Sequence, residues 1–404
     1  MKRTIQSWLR LLLLTVGAFA IFSSCNKDLP VATPIVTPAP SGSSILEVLN
    51  DPNYSILKAA VARAATFSSP TGNISTLLGD KNAVVTFFAP DDAAFIGSGI
   101  PSAAAIATLR PGFLDTVLKY HLVGGQKFGS ASIPTTFPNN LYLQSMLLLA
   151  APSAALPPGL RMPIFPGKTG PAMFANNIPV TQADIAVANG TMHKVARIVA
   201  PPSQYLWERI NADTSMSYLK AAIIRADSGV AAPNRLQDAL VNPAANLTIF
   251  APTNAAFRAL LTGQITLALI AMGTDPATAA ATAAALASTP NVFATPALYP
   301  VITPTLVKGI VVYHILGVRA FSVNLPPVAT LVKTLLNTAI AAHPGVTVQA
   351  TFGPTGVTAA TVKGLANATA SNLLINPTPA PAGNSDQHYI NGVIHKIDQV
   401  LLPQ

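Results

Sequence analysis

Apolar positions along this chain follow three local patterns, and each pattern occurs twice. The first is Val84-Val85-Thr86-Phe87-Phe88-Ala89-Pro90, a short apolar run that reads as a β-strand. Proline cannot donate to a ladder, so the strand is expected to stop at Pro90. Asp91 is a good helix N-cap, and Asp92-Ala93-Ala94-Phe95 reads as the first turn of a short helix. The pattern returns as Leu247-Thr248-Ile249-Phe250-Ala251-Pro252, followed by Thr253 and Asn254-Ala255-Ala256-Phe257. Thr253 takes the place of Asp91 and also caps well.

The second pattern has helical spacing. Leu114, Val117, Leu118 and His121 fall at i, i+3, i+4 and i+7, as do Val307, Ile310, Val311 and His314. Each His therefore lies on an apolar stripe near a helix end, preceded by Tyr120 or Tyr313. The third pattern opens on Asn189-Gly190 or Asn391-Gly392, a strong hairpin signal. After it, His193 alternates with Val195 and His395 with Ile397, so each His shares a strand face with an apolar residue. Both runs end in proline, Pro201 and Pro403.

The three blocks keep their order, with offsets of 162, 193 and 202 between copies. Growing offsets identify a duplicated domain with insertions in the second copy. The arrangement resembles the fasciclin domain family: a Thr-Phe-Phe-Ala-Pro-Asp-Asp-Ala-Ala-Phe box, a central Tyr-His pair, and a final box like Asn391-Gly392-Val393-Ile394-His395-Lys396-Ile397-Asp398. The first copy departs from that last box at Thr191, Ala196-Arg197 and Val199-Ala200. The resemblance implies an α+β fold in which each domain is a β-sandwich-like wedge with packed α-helices, over residues 44–201 and 202–404. It also implies a role in adhesion. In animal fasciclin proteins an Asp-Ile pair before the Asn-Gly, and the Tyr-His region, are linked to receptor recognition. Asp184, Ile185, Tyr120, His121, Tyr313 and His314 are thus candidate ligand-contacting residues. A turn or capping role for Asp184 and its counterpart Asp386 is the competing reading. Pro90, Asp91, Asn189, Gly190, His193, Pro252, Thr253, Asn391, Gly392 and His395 are expected to hold the fold.

The first 24 residues read as an export signal: Lys2 and Arg3, then the uncharged apolar run Leu11–Phe22, too short to span a bilayer comfortably. Ser23-Ser24-Cys25 resembles a bacterial lipobox, which makes Cys25 the expected acylation site. Residues 25–43 carry Pro30, Pro34, Pro38 and Pro40 among Ser and Thr, an extended tether. The expected location is the cell envelope, lipid-anchored in the outer membrane, facing the periplasm or the exterior.

Three stretches look like insertions: Gln144–Pro171, read as a long proline-rich loop; Pro276–Ser288, an Ala- and Thr-rich stretch read as an added helix; and Asn367–Ser385, a further loop. Loops on a rigid scaffold often carry binding, and they also tolerate insertions.

Composition narrows the chemistry. Half of the residues are hydrophobic and 10% are charged, which excludes a disordered polyelectrolyte. Net charge is +9, but Lys2, Arg3 and Arg10 lie in the signal and the other cations are dispersed, so no nucleic-acid footprint emerges. A single Cys excludes an intrachain disulfide and a multi-cysteine zinc site. Gly167-Lys168-Thr169 resembles the end of a phosphate loop, but Met162 stands where its leading Gly belongs. No His-Glu-x-x-His or Gly-x-Ser-x-Gly is present. The expectation is a non-enzymatic protein without metal or cofactor, binding a cell-surface or matrix protein or glycan and meeting the membrane through its lipid anchor only. The alternative is an accessory polysaccharide-capture component of an outer-membrane uptake system. Few aromatics, and Trp207 as the one Trp beyond the signal, argue modestly against glycan.

Overall fold

The computed structural model describes residues 40–149, 159–354 and 356–404. The signal, Cys25 and most of the tether lie outside the described residues. Gly42–Gln404 is one compact unit holding both copies.

In the first copy eight strands are hydrogen-bonded in the order β4-β3-β2-β1-β8-β7-β6-β5. They are β1 (Val85–Pro90), β2 (Leu122–Gly124), β3 (Leu143–Leu148), β4 (Arg161–Ile164), β5 (Pro166–Thr169), β6 (Ala172–Ala175), β7 (Ile178–Val187) and β8 (Gly190–Val195). Only Phe165 separates the two edge strands β4 and β5, and an isolated bridge joins Asn140 to Gly167. The sheet therefore folds back on itself. Neighbours are antiparallel except β1 and β8, which run parallel and place the first sequence block beside the third.

That central pair explains the unbroken apolar run. Val85, Phe87 and Ala89 face a core shared with the helices Ser55–Ala64 and Pro111–Tyr120. Phe88 and Val195 face the opposite core with Tyr120, Val123 and Ile164. Period-two alternation thus serves two apolar layers.

The second copy repeats the plan as two sheets. One has the order β10-β9-β16-β15, built from β9 (Leu247–Pro252), β10 (Ile315–Leu316), β15 (Gln387–Tyr389) and β16 (Gly392–Ile397). The other runs β11-β12-β13-β14, from β11 (Thr330–Val332), β12 (Val346–Gly353), β13 (Gly356–Lys363) and β14 (Ser371–Asn372). Phe250, Val346, Val348, Val362 and Ile397 fill the space between them. Leu247, Ile249 and Ala251 face the helical side, with Leu206 and Ile210 in the same core.

Two expectations change. Gln144–Pro171 is not one long loop: apart from residues 150–158, which lie outside the described residues, it supplies most of β3 and all of β4 and β5. Pro163 sits within β4, and Pro166 opens β5. The helix after Pro252 is not short either: it runs Asn254–Ala271, whereas its first-copy counterpart ends at Gly97. Gly97-Ser98-Gly99, with Gly99 at φ +90°, stops the first, and the second meets no such break. The Asn254–Ala271 helix is apolar and long enough to cross a membrane, but it buries Phe257, Leu261 and Ile265 in the core. The added helix appears as Pro276–Leu286, capped by Asp275. Asn367–Ser385 is irregular apart from β14.

Candidate functional site

The motif residues converge where β1 meets β8 and β9 meets β16, and the two copies match atom for atom. Asn189 accepts the Ile45 N–H at 2.9 Å and donates to the Leu78 carbonyl at 2.9 Å. Asn391 accepts the Leu206 N–H at 3.0 Å and donates to the Leu240 carbonyl at 2.9 Å. Each Asn thus pins the entry helix of its domain to the hairpin turn. Glycine follows because the backbone of the neighbouring strand is too close for a side chain. A Cβ on Gly190 would lie 1.8 Å from the Val85 carbonyl oxygen. One on Gly392 would lie 2.7 Å from that of Leu247.

His121 is fully buried at its helix end. The Val199 N–H donates to its Nε2 at 2.9 Å, so Nδ1 carries the proton and donates to the Val117 carbonyl at 2.8 Å. His314 repeats this with the Leu401 N–H and the Ile310 carbonyl, both at 2.8 Å. Burial pushes both imidazoles down to about 4. Tyr120 donates to the Pro163 carbonyl and accepts from Asn176; Tyr313 donates to the Gly345 carbonyl and accepts the Leu365 N–H. Burial raises the pKa of both phenols. Tyr120, His121, Tyr313 and His314 are therefore interior, at most 2% exposed, and present nothing to a surface partner. Their candidacy as ligand contacts is corrected on that ground.

His193 and His395 use the other tautomer. The Asp184 N–H donates to His193 Nδ1 at 3.1 Å, and His193 Nε2 donates to the Phe128 carbonyl at 3.0 Å. Asp386 and Ala320 do the same for His395 at 3.2 and 3.0 Å. Burial lowers the His193 pKa. Phe88 stacks on His193, with centroids 5.3 Å apart.

Asp184 and Asp386 both take left-handed backbone, φ +59° and +55°, which Asp tolerates better than most residues. That turns each carboxylate onto a serine. Asp184 accepts from the backbone N–H and hydroxyl of Ser130, and Asp386 from those of Ser322. Burial alone would raise the Asp184 pKa, but the Ser130 bonds and the nearby His193 leave it lowered. Ile185 packs half-buried against the first core. The Asp-Ile pair is thus a chain clamp, with only the Asp184 edge open to solvent. Ser130, Asp184 and His193 sit together, but Ser130 bonds the carboxylate and both His193 nitrogens are committed to backbone. The hydroxyl faces the Asp184 carboxylate and no imidazole nitrogen, so the grouping lacks the Ser-His-Asp relationship.

Asp91 caps its helix through the Ala94 N–H at 2.8 Å and meets Lys194 at 2.6 Å; Thr253 caps through the Ala256 N–H at 3.2 Å. Asp92 accepts the Ile56 N–H at 2.8 Å, and Asn254 the Tyr218 N–H at 3.2 Å. The adjacent carboxylates therefore cap two different helices. Among the described residues no group of three or more His, Cys, Asp or Glu is placed to hold a metal ion. Trp207 is half-buried against the second core.

The sequence model of the Fasciclin domain matches residues 59–201 and 228–403. This chain belongs to the fasciclin domain family. No curated protein matches it. Among solved structures, a FAS1 domain pair from the insect cell adhesion molecule fasciclin I is similar at 13% identity and a TM-score of 0.32, covering 86% of this chain and 97% of that one.

Two features of this tandem fasciclin protein escaped sequence reading. One is a fourth repeat, Ser55-Ile-Leu-Lys58 through Arg63 against Ser217-Tyr-Leu-Lys220 through Arg225, at the same offset of 162 as the first block. The other is the contact between the domains. Arg319 is 1% exposed, and its bonds go to His388, Tyr389 and Ile390 of its own domain. Phe165 of the first domain covers it, and Phe174, Phe321, Val323 and Val393 complete a shared cluster. Asn140 donates to the Arg319 carbonyl at 2.9 Å, and Thr169 donates to the Val323 carbonyl.

Proposed function

We propose that this protein is a non-enzymatic lipoprotein of the cell envelope, held in the outer membrane by acyl chains on Cys25. It presents its paired fasciclin domains across the 25–43 tether for adhesion or extracellular binding of a protein or glycan. The observation that carries this reading is the fate of the motif groups. In both copies the recurring His, Tyr, Asn and Asp side chains are spent on holding the backbone, so function falls to the outer surface of the domain pair. The tether and the twelve-residue apolar signal run are the basis for placing that surface outside the membrane. The accessory role in polysaccharide capture is the second reading, and the observation that favours it is a second-domain cleft lined by Ser217, Lys220, Arg225 and Asn291 with no carboxylate.

The test uses the purified full chain in mild detergent, immobilised on beads. The beads should be retained saturably on surfaces coated with envelope or matrix polymers, with the polymer recovered chemically unchanged. Bonds cut or formed in the polymer, or no retention on any coating, would contradict the reading.

A further inference from the structure

The helix Ser217–Ala226 and the residue two positions beyond it, Ser228, display Ser217, Lys220, Arg225 and Ser228 along one stripe. Asn291 and Tyr299, from the short 3-10 turns that follow the added helix, stand opposite. With Ile224, Pro290 and Phe293 they bound an open-sided cleft of about 440 Å³. No carboxylate lines it. Among the described residues neither Lys220 nor Arg225 belongs to an ion pair.

Arg225 is the unusual member. It is only 9% exposed, its Nε–H donates to the Ile302 carbonyl at 2.9 Å, and its guanidinium carbon lies 3.8 Å from the Tyr299 ring centroid. Nη1 and Nη2 have no hydrogen-bond partner among the described residues. Neither Nη is among the buried atoms left without a partner, so both open to solvent in the cleft, where a ligand carboxylate can take them as a pair. Lys220 makes one long contact, 3.4 Å to the Asn211 carbonyl, so its ammonium is available to the same anion.

The first copy serves as an internal control. Lys58 and Arg63 hold the equivalent places, with bonds to Asn50 at 2.9 Å and Leu109 at 3.3 Å, but Arg63 is exposed. The difference is the extra chain of the second copy, which brings Asn291 and Tyr299 over the helix. The insertion converts a solvated pair of cations into a walled site.

We infer that this cleft binds an acidic saccharide, its carboxylate held by Arg225 and Lys220 and its hydroxyls among Ser217, Ser228 and Asn291, with Tyr299 backing the Arg225 guanidinium. The inference rests on the extracellular-binding reading above and names a ligand class for it.

Calorimetry on the full chain in mild detergent, with a galacturonic acid disaccharide and a neutral galactose disaccharide as probes, tests it. At about 1 mM the acidic sugar should bind, with the neutral one weaker by about tenfold or more. Lys220→Gln and Arg225→Gln should each weaken the acidic sugar by about tenfold. Arg225 also holds the Ile302 segment, so Lys220→Gln carries the test if Arg225→Gln does not fold. Equal binding of the two sugars, no binding of either, or unchanged binding in Lys220→Gln overturns the cleft. If beads are still retained on coated surfaces while the disaccharide fails, the cleft alone falls; if both fail, the underlying reading falls with it.

Discussion

The guanidinium carbon of Arg319 lies 4.5 Å from the ring centroid of Phe165, one residue from each domain. Burial lowers the Arg319 pKa to about 10, so the cation survives at neutral pH in a site that its partner domain keeps dry. The domains are therefore more than beads on a string. Phe165→Ala should cost about 3–5 kcal/mol, the range for truncating a buried Phe. Urea unfolding followed by fluorescence should show one transition in the wild type and two in the variant. A single unshifted transition in Phe165→Ala would mean that the contact contributes little.

The helix-end histidines predict acid sensitivity. Their folded pKa values of about 4 lie below the unfolded value near 6.5, so the unfolded chain binds more protons between those limits. Stability from this source is complete above about pH 6.5 and is lost as pH falls toward 4. His121→Ala and His314→Ala should each cost about 1–3 kcal/mol at pH 7 and flatten the decline between pH 7 and 5. Denaturant midpoints at the two pH values measure both effects.

Glycine at the hairpin turn is predicted to be irreplaceable. Gly190→Ala drives a Cβ into the Val85 carbonyl and should abolish cooperative folding. Gly97→Ala, with nothing within 4 Å of its Cβ at the end of a helix, should be neutral or slightly stabilising. Comparable losses in the two variants, read by thermal melts, would show that the close approach of β1 and β8 is not what selects the residue.

Much of this was legible in the sequence, for a physical reason. Phe88 and His193 pair side by side, as do Phe250 and His395, because the first and third blocks are the buried central strands, and burial on two faces leaves the strongest apolar signature. Strand β4, set in a proline-rich stretch, was not legible. Its Pro163 joins the ladder at the sheet edge and gives its carbonyl to Tyr120, a contact 43 residues away that no local pattern reveals. The Tyr-His pairs were placed correctly on their helices, but their burial depends on strands that close over them later in the chain. Arg319 left no signal either, since its partners are carbonyls, an imidazole and an aromatic face rather than an acid of complementary spacing.

Display, as proposed above, requires a folded pair of domains held at the cell surface by Cys25. The most direct measurement counts cells retained on polymer-coated surfaces when they produce the wild-type chain or Cys25→Ala, with membrane fractionation of the same cultures. Cys25→Ala should leave the membrane fraction as folded protein, and retention should drop to the level of cells lacking the protein. Retention and membrane association unchanged in Cys25→Ala would contradict it.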